Sequence, residues 1–485
     1  MAETVEPLDY LEPALAVPYP AHARTGSRST DRRPSFSAFS QTARVTAHDL
    51  PVLGNGTDIE LTSVNSKAPI EDAVSETPAE SIHAPEPISP SQKRLFLYVL
   101  ACCWSVVVMG WNDGSTGPLI LRMEAFWNVG FAVVSLLYVC SFVGFIVAGL
   151  LNVWLSDKLG FGKIVVVGSS CQLIAAVLES TGPPFPVFAL AFAFNGFGGA
   201  LLNAHLNTLI ASMPDPAPKL GILHMSYGFG AFLSPFAATQ FAQMPRWSIG
   251  YIVQTGFALT GVIIYVVTFR FRTEAQILGA WLDSDGPIEP VRGNKMKQIF
   301  QLSTVHVLAF FVLVYVGLEV TLGGWIVTYL VQVRGGGPSS GYASSGFFGG
   351  LALGRVLLLW VNKKLGTNRV IYLYSFLVLG LLMIVWFVPS VIGDAVAAAL
   401  IGLLLGPFYP LMIGVSRQIL PRGLLTGAIG WIGSFGQAGS ALFPFITGAL
   451  AQKYGIKILQ PMLVAMMAVD ICLWAALPYT TRLMT

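Results

Sequence analysis

The chain has 485 residues, of which 54% are hydrophobic and only 11% charged, with a formal net charge of +3 and a mean hydropathy of +0.67. A soluble chain carries about 25% charged residues, so the polar surface here is too small to coat a soluble fold and lipid must take that role. No basic block accompanies the small net charge, which excludes a nucleic-acid footprint.

Residues 1–91 are rich in Pro, Ser, Thr, Ala and Glu and hold no sustained apolar periodicity. That composition predicts a disordered tail. Its opening stretch has no apolar h-region, so no cleavable signal peptide is expected. The one glycosylation sequon, Asn55-Gly56-Thr57, lies in this tail.

Apolar runs begin after Lys93-Arg94. A span needs about 20 apolar residues. The pattern predicts spans near 95–121, 129–153, 163–181, 185–213, 220–243 and 248–270. After a polar stretch at 271–298 come 299–331, 339–362, 368–389, 392–417, 422–451 and 459–480. The expected fold is therefore all-α, with 12 transmembrane helices in two six-helix bundles, 92–270 and 299–485. With a cytosolic N-terminus, the outer loops hold Arg122, Arg246, Arg334, Lys453 and Lys457. The inner loops then hold roughly three times as many cations, so both termini and the linker are expected in the cytosol.

The two sets of spans look like a duplication at an offset of roughly 206 to 209 residues. Gly110 and Gly117 fall on Gly317 and Gly324, and Pro235, Phe236 and Gln243 fall on Pro444, Phe445 and Gln452. The near-constant offset carries more weight than any one match. Parallel repeats about an axis along the membrane normal are a transporter plan.

Ionisable side chains inside spans are costly and usually mark a pathway. The first span contains Gly110-Trp111-Asn112-Asp113-Gly114-Ser115-Thr116-Gly117-Pro118, where the glycines and Pro118 are expected to loosen the helix. Irregular backbone at that depth is tolerated beside a watery cavity. The seventh span contains Gly317-Leu318-Glu319-Val320-Thr321 and ends its run at Trp325. Glu319 falls opposite Asn112 in the repeat, one place from Asp113. Two carboxylates at matching depth suit proton exchange or solute binding.

Asn195, Gly199, Asn203 and Asn207 recur every four residues and share one face of the fourth span. They suit either a polyhydroxylated solute or helix–helix glue. His205 lies off that stripe and is expected to be structural. His224 and Tyr227 share a face of the fifth span, where His224 is either a proton carrier or a packing residue. Trp431, Ser434 and Gln437 give the eleventh span a polar-aromatic patch. Tyr409 lies between Pro407 and Pro410, where the tenth span should kink. Arg355 suits snorkelling or gating. For Asp470 an interhelical hydrogen bond is expected. The five cysteines, Cys102, Cys103, Cys140, Cys171 and Cys472, lie in apolar runs with no zinc spacing. No metal, cofactor or nucleophile motif is present, which argues against an enzyme.

These runs, together with Val129–Ser135, Leu223–Ala231 and Gly346–Arg355, resemble the fungal fucose-permease-like, bypass-of-stop-codon branch of the major facilitator proteins. The likeness covers about 92–480. It implies two bundles alternating in access around a central cavity, and Asp113 matches the family's first-span carboxylate. In the fourth span Asn203 stands where the family has an acid. The segment Asp157-Lys158-Leu159-Gly160 keeps the acid, base and glycine of the facilitator loop, which implies a latch at the inner gate. Val153 replaces the loop's usual glycine.

The leading expectation is a secondary transporter, proton-coupled and acting on a small polar solute, sugar-like or a secreted metabolite. It would work as a monomer in a plasma or vacuolar/endomembrane bilayer. An uncoupled facilitator is the second reading, and a transport-inactive sensor or scaffold a third.

Overall fold

The computed structural model describes residues 91–279 and 295–482. Residues 1–90 of the expected tail at 1–91 and the middle of the expected linker lie outside these residues. Everything described is helix, short 3₁₀ turn or connecting loop. In chain order the helices are α1 (Gln92–Trp127), α2 (Phe131–Val134), α3 (Leu136–Leu159), α4 (Phe161–Ser180), α5 (Phe185–Ala211), α6 (Pro216–Ala242), α7 (Gly250–Phe269) and α8 (Glu274–Leu278). Then come α9 (Lys295–Gln301), α10 (Ser303–Arg334), α11 (Tyr342–Leu357), α12 (Leu359–Leu365), α13 (Thr367–Phe387), α14 (Val391–Leu405), α15 (Phe408–Ile419), α16 (Arg422–Tyr454) and α17 (Leu459–Arg482).

Among the described residues nine segments are long and apolar enough to cross a membrane, or ten if α11 and α12, bent by 52°, count as one. The protein is thus an all-α, multi-span membrane protein. α6 and α16 have the length to span, 27 and 33 residues. Their glycines, hydroxyls and amides keep them below the apolarity of the others.

Several local expectations changed. α1 stays helical through Pro118, where a loosened helix was expected. Hydroxyls close by bond back to the chain: Ser115 Oγ donates to the Trp111 carbonyl at 2.6 Å and Thr116 Oγ1 to that of Asn112 at 3.3 Å. The kink expected around Pro407 is a break between α14 and α15. The described start of the polar stretch after α7 forms the short helix α8. Thr273 and Gln276 form a capping box at the start of α8, and Ile277 and Leu278 are buried.

The pairings in the first set of helices recur in the second. α1 packs on α6 and α7, α5 on α3 and α4, and α4 on α7. Correspondingly, α10 packs on α16 and α17, α14 on α11 and α13, and α13 on α17. Between the sets, α1 meets α10, α6 meets α11, and α2 and α3 meet α16.

The contacts of α1 with α10 and of α2 and α3 with α16 gather at the end where α1 finishes, while α6 and α11 touch along their length as far as His224 and Arg355. One apolar core joins Leu119, Ile120, Met123 and Phe131 to Trp325, Ile326 and Phe347. A separate core at the other end contains only residues of the first set, among them Leu95, Tyr98, Phe161 and Ile277. α1 and α10 come close at Gly117, where a Cβ would stand 2.5 Å from the Gly323 carbonyl oxygen. A Cβ at Gly324 would collide with the Tyr138 hydroxyl.

Near the sealed end Arg334 Nε pairs with Asp394 Oδ2 at 2.8 Å, and both side chains are largely buried. The guanidinium also donates to the Val385 and Trp386 carbonyls, tying α10 to α13 and α14. Hydrogen bonds to charged groups contribute about 1.5–3 kcal/mol. Arg334→Met should therefore lower the unfolding midpoint in detergent, while Arg334→Lys, which keeps the charge but not the fork, should lower it less.

Candidate functional site

Four helices, α1, α6, α10 and α11, bring ionisable groups together. On α1, Asp113 keeps an exposed face between the buried Asn112 and Gly114. The Tyr227 hydroxyl on α6 donates to Asp113 Oδ2 at 2.7 Å. α6 can lie this close because Gly110 and Gly114 of α1 have no side chain to hold it off. On α10, the Tyr315 hydroxyl donates to Glu319 Oε2 at 2.6 Å, an i,i+4 pair on one helix face. Glu319 is 9% exposed.

Arg355 joins the two sets. From α11, its Nη1 donates to the His224 carbonyl of α6 at 2.9 Å. It also lies within electrostatic range of Glu319, Tyr227, Tyr315 and Tyr409. The His224 and Tyr409 rings stand 6.4 Å apart across the same gap. Asp113 and Glu319 are close enough to feel each other's charge. The site thus holds two carboxylates, each capped by a tyrosine, with the Arg355 guanidinium on the Glu319 side. Chemically it can take up and release protons and offer hydrogen bonds to a polar solute.

Other sequence-selected residues lie elsewhere. Asn112 is buried and accepts a 2.9 Å hydrogen bond from Asn195 Nδ2 on α5, so it joins helices. Trp325 is fully buried, donates to the Pro444 carbonyl and meets Phe131 edge-on. Asn207 Nδ2 is bonded to the Asn203 side chain at 2.8 Å within α5, and both amides are half-buried. Trp431 packs on Phe300 of α9 and on Phe435. Gln437 is half-buried on α16. As expected for a structural residue, His205 Nε2 lies 2.9 Å from Asn152 Oδ1 and 3.2 Å from Ser156 Oγ.

Asp157 and Lys158 lie at the opposite end from the seal. With Asn152, Ser156, His205 and Glu274 they line a cavity of about 640 Å³ between α3, α5 and α8. Asp470 was expected to bridge helices, but it is fully buried and neither of its oxygens has a hydrogen-bond partner. Glu179, which sequence reasoning passed over, is in the same situation. Tyr315 was also missed as a partner of Glu319, although its four-residue spacing was a usable signal. Among the described residues no group of His, Cys, Asp or Glu can hold a metal.

The sequence pattern that defines the Major Facilitator Superfamily matches residues 102–444. The chain belongs to this superfamily. It is similar to bypass of stop codon protein 6 of Saccharomyces cerevisiae, 23% identical over 411 residues, covering 79% of this chain and 82% of that one. It is also similar to the glucose/mannose transporter GlcP of Bacillus subtilis, 20% identical over 332 residues, covering 67% and 80%. Among solved structures, a D-xylose–proton symporter superposes with a TM-score of 0.64 at 11% identity, over 79% of this chain and 97% of its own. A bacterial homologue of the human lysosomal transporter Spinster, inward-facing and unoccupied, superposes with a TM-score of 0.66 at 12% identity, over 81% and 98%. These likenesses establish the facilitator fold. The fold they share also accounts for the repeated helix pairings.

Proposed function

We propose that this chain is a secondary transporter that moves a small polar solute, sugar-like in its hydroxyl pattern, across a membrane by proton-coupled alternating access. The observation that carries the reading is the pair of tyrosine-capped carboxylates, Asp113 and Glu319, one in each set of helices. Carboxylates at membrane depth recur in proton relays. Tyrosine hydroxyls and carboxylates grouped in this way suit the hydroxyls of a solute. The names of two relatives, a glucose/mannose transporter and a D-xylose–proton symporter, agree with this chemistry.

In this reading α6 and α16 are the fifth and eleventh of twelve spans. Residues 92–270 and 299–485 form two six-helix bundles, joined by a cytosolic linker. The sealed end faces outward and the open end the cytosol, where both chain termini lie. Asp157 and Lys158 belong to the inner gate, and Arg355 holds the bundles together at cavity depth. His224 and Tyr227 line the cavity, while Asn203 and Asn207 offer amides along α5. The protein acts as a monomer in the plasma membrane or an endomembrane, and its relatives are the fungal bypass-of-stop-codon transporters.

A thermal-shift screen of the purified protein against sugars, polyols, amines and organic acids tests the solute class. A ligand that binds only the folded state at about 100 times its Kd stabilises by about 2.7 kcal/mol. Sugars or polyols should raise the unfolding midpoint, and labelled hits should exchange in proteoliposome counterflow. Hits confined to charged amines or acids would contradict the sugar-like assignment.

A further inference from the structure

The repeat that organises the core also shows on the outside of the molecule. On α3, Leu136, Val143, Val147 and Leu150 are exposed at helical spacing, and Trp154 continues the stripe at 54% exposure. This face lies away from the one that packs on α5, where Gly144 meets the Ala193 carbonyl. One turn on, Lys158 Nζ stands 4.4 Å from the Trp154 ring centroid. In the second set, Leu353, Val356 and Leu357 form the exposed stripe. Beyond the 52° bend, Trp360 is 68% exposed, and Lys364 Nζ stands 4.9 Å from its ring. The two Trp–Lys pairs recur at the roughly 206-residue offset of the sequence repeat.

Packing inside the protein explains neither pair. Both tryptophans are exposed, and among the described residues neither lysine is ion-paired with a carboxylate. The order of groups along each helix is that of a membrane boundary. Aliphatic side chains suit acyl chains, a tryptophan suits the headgroup level, and a lysine one turn further reaches past it. Lys363 and Arg369 flank the second pair in sequence, while the first has Lys163 five residues on and shares its cavity with Asp157 and Glu274.

We propose that Trp154–Lys158 and Trp360–Lys364 are equivalent docking points for anionic phospholipid headgroups, one on each helical set. The ammonium would donate to phosphate and carboxylate oxygens while the indole fixes the depth of the headgroup. Their equivalence rests on the two-bundle reading above. The lipid contact itself does not depend on which solute is carried, or on whether protons are.

The test is native mass spectrometry of the delipidated full-length protein, offered phosphatidylserine and phosphatidylcholine with identical acyl chains. The wild type should retain phosphatidylserine preferentially, by roughly fivefold for each lysine. Lys158→Gln/Lys364→Gln should lose the preference, and Lys158→Arg/Lys364→Arg should keep it. If the double glutamine variant does not purify, each single variant should lose about half of it. Equal retention of the two lipids by the wild type would overturn the proposal, as would an unchanged preference in the glutamine variants. The readout is lipid retention and not flux, so a failure of the transport reading would leave it standing.

Discussion

Glu319→Gln should still exchange solute but should no longer accumulate it. Glutamine has nearly the same shape, and its carbonyl oxygen can still accept the Tyr315 hydrogen bond now made to Glu319 Oε2. What it lacks is the ability to gain and lose a proton. In proteoliposomes, counterflow should therefore persist, while uptake driven by an inward proton gradient falls to the level seen without one. Arg355 should then face a neutral partner, leaving its bond to the His224 carbonyl as its main tie across the gap. Asp113→Asn is the companion variant. Asp113 keeps an exposed face, and its Tyr227 partner sits on a different helix. If accumulation survives in Glu319→Gln and fails in Asp113→Asn, the driving proton belongs to Asp113 alone. Survival in both would remove the carboxylates from the coupling scheme.

A second large effect is expected from a residue that touches no solute. Gly117→Leu should hold the sealed end open. A Cβ at 117 already meets the Gly323 carbonyl oxygen at 2.5 Å, and the obstacle is backbone, which cannot swing aside. Overpacking of this kind costs about 1–3 kcal/mol. Because the clash exists only when α1 and α10 are together, it falls on the sealed state. The balance between states should then shift by roughly fivefold to a hundred-and-fiftyfold. A cysteine at Ser135, whose hydroxyl now faces Gly448 of α16 in the seal, reports this. In a background without the five native cysteines, Ser135→Cys should label at least about fivefold faster when Gly117→Leu is also present, and net transport should fall in step. Unchanged labelling would mean that α1 and α10 do not form the seal.

The sequence makes some features legible and hides others, for physical reasons. The span limits, the offset between the two sets and the depth of Asp113 and Glu319 follow from apolar length and spacing. Helix rotation does not. Asn112 and Asp113 are neighbours, yet one residue turns an α-helix by about 100°. Asp113 therefore meets Tyr227, while Asn112 meets Asn195 on another helix. Trp325 lies six residues beyond Glu319, about 240° around the helix, and so it packs on Pro444 and Phe131. Trp431 and Gln437 have the same six-residue separation and cannot share a face. A lone sequence shows that such residues are polar or aromatic, but not which neighbour each one turns toward. Likewise α6 and α16 read as spans by length, while their glycines and hydroxyls, suited to close packing and to a wet cavity, dilute the apolar signal.

The most direct test of the central claim is solute-triggered proton movement in proteoliposomes loaded with a pH indicator. Adding a solute identified by thermal shift, with no imposed gradient, should acidify the lumen as solute and proton enter together. The Asp113→Asn/Glu319→Gln variant should take up the solute by facilitated exchange with no change in lumenal pH. Wild-type uptake without any pH change, or acidification of equal size in the double variant, would contradict the account.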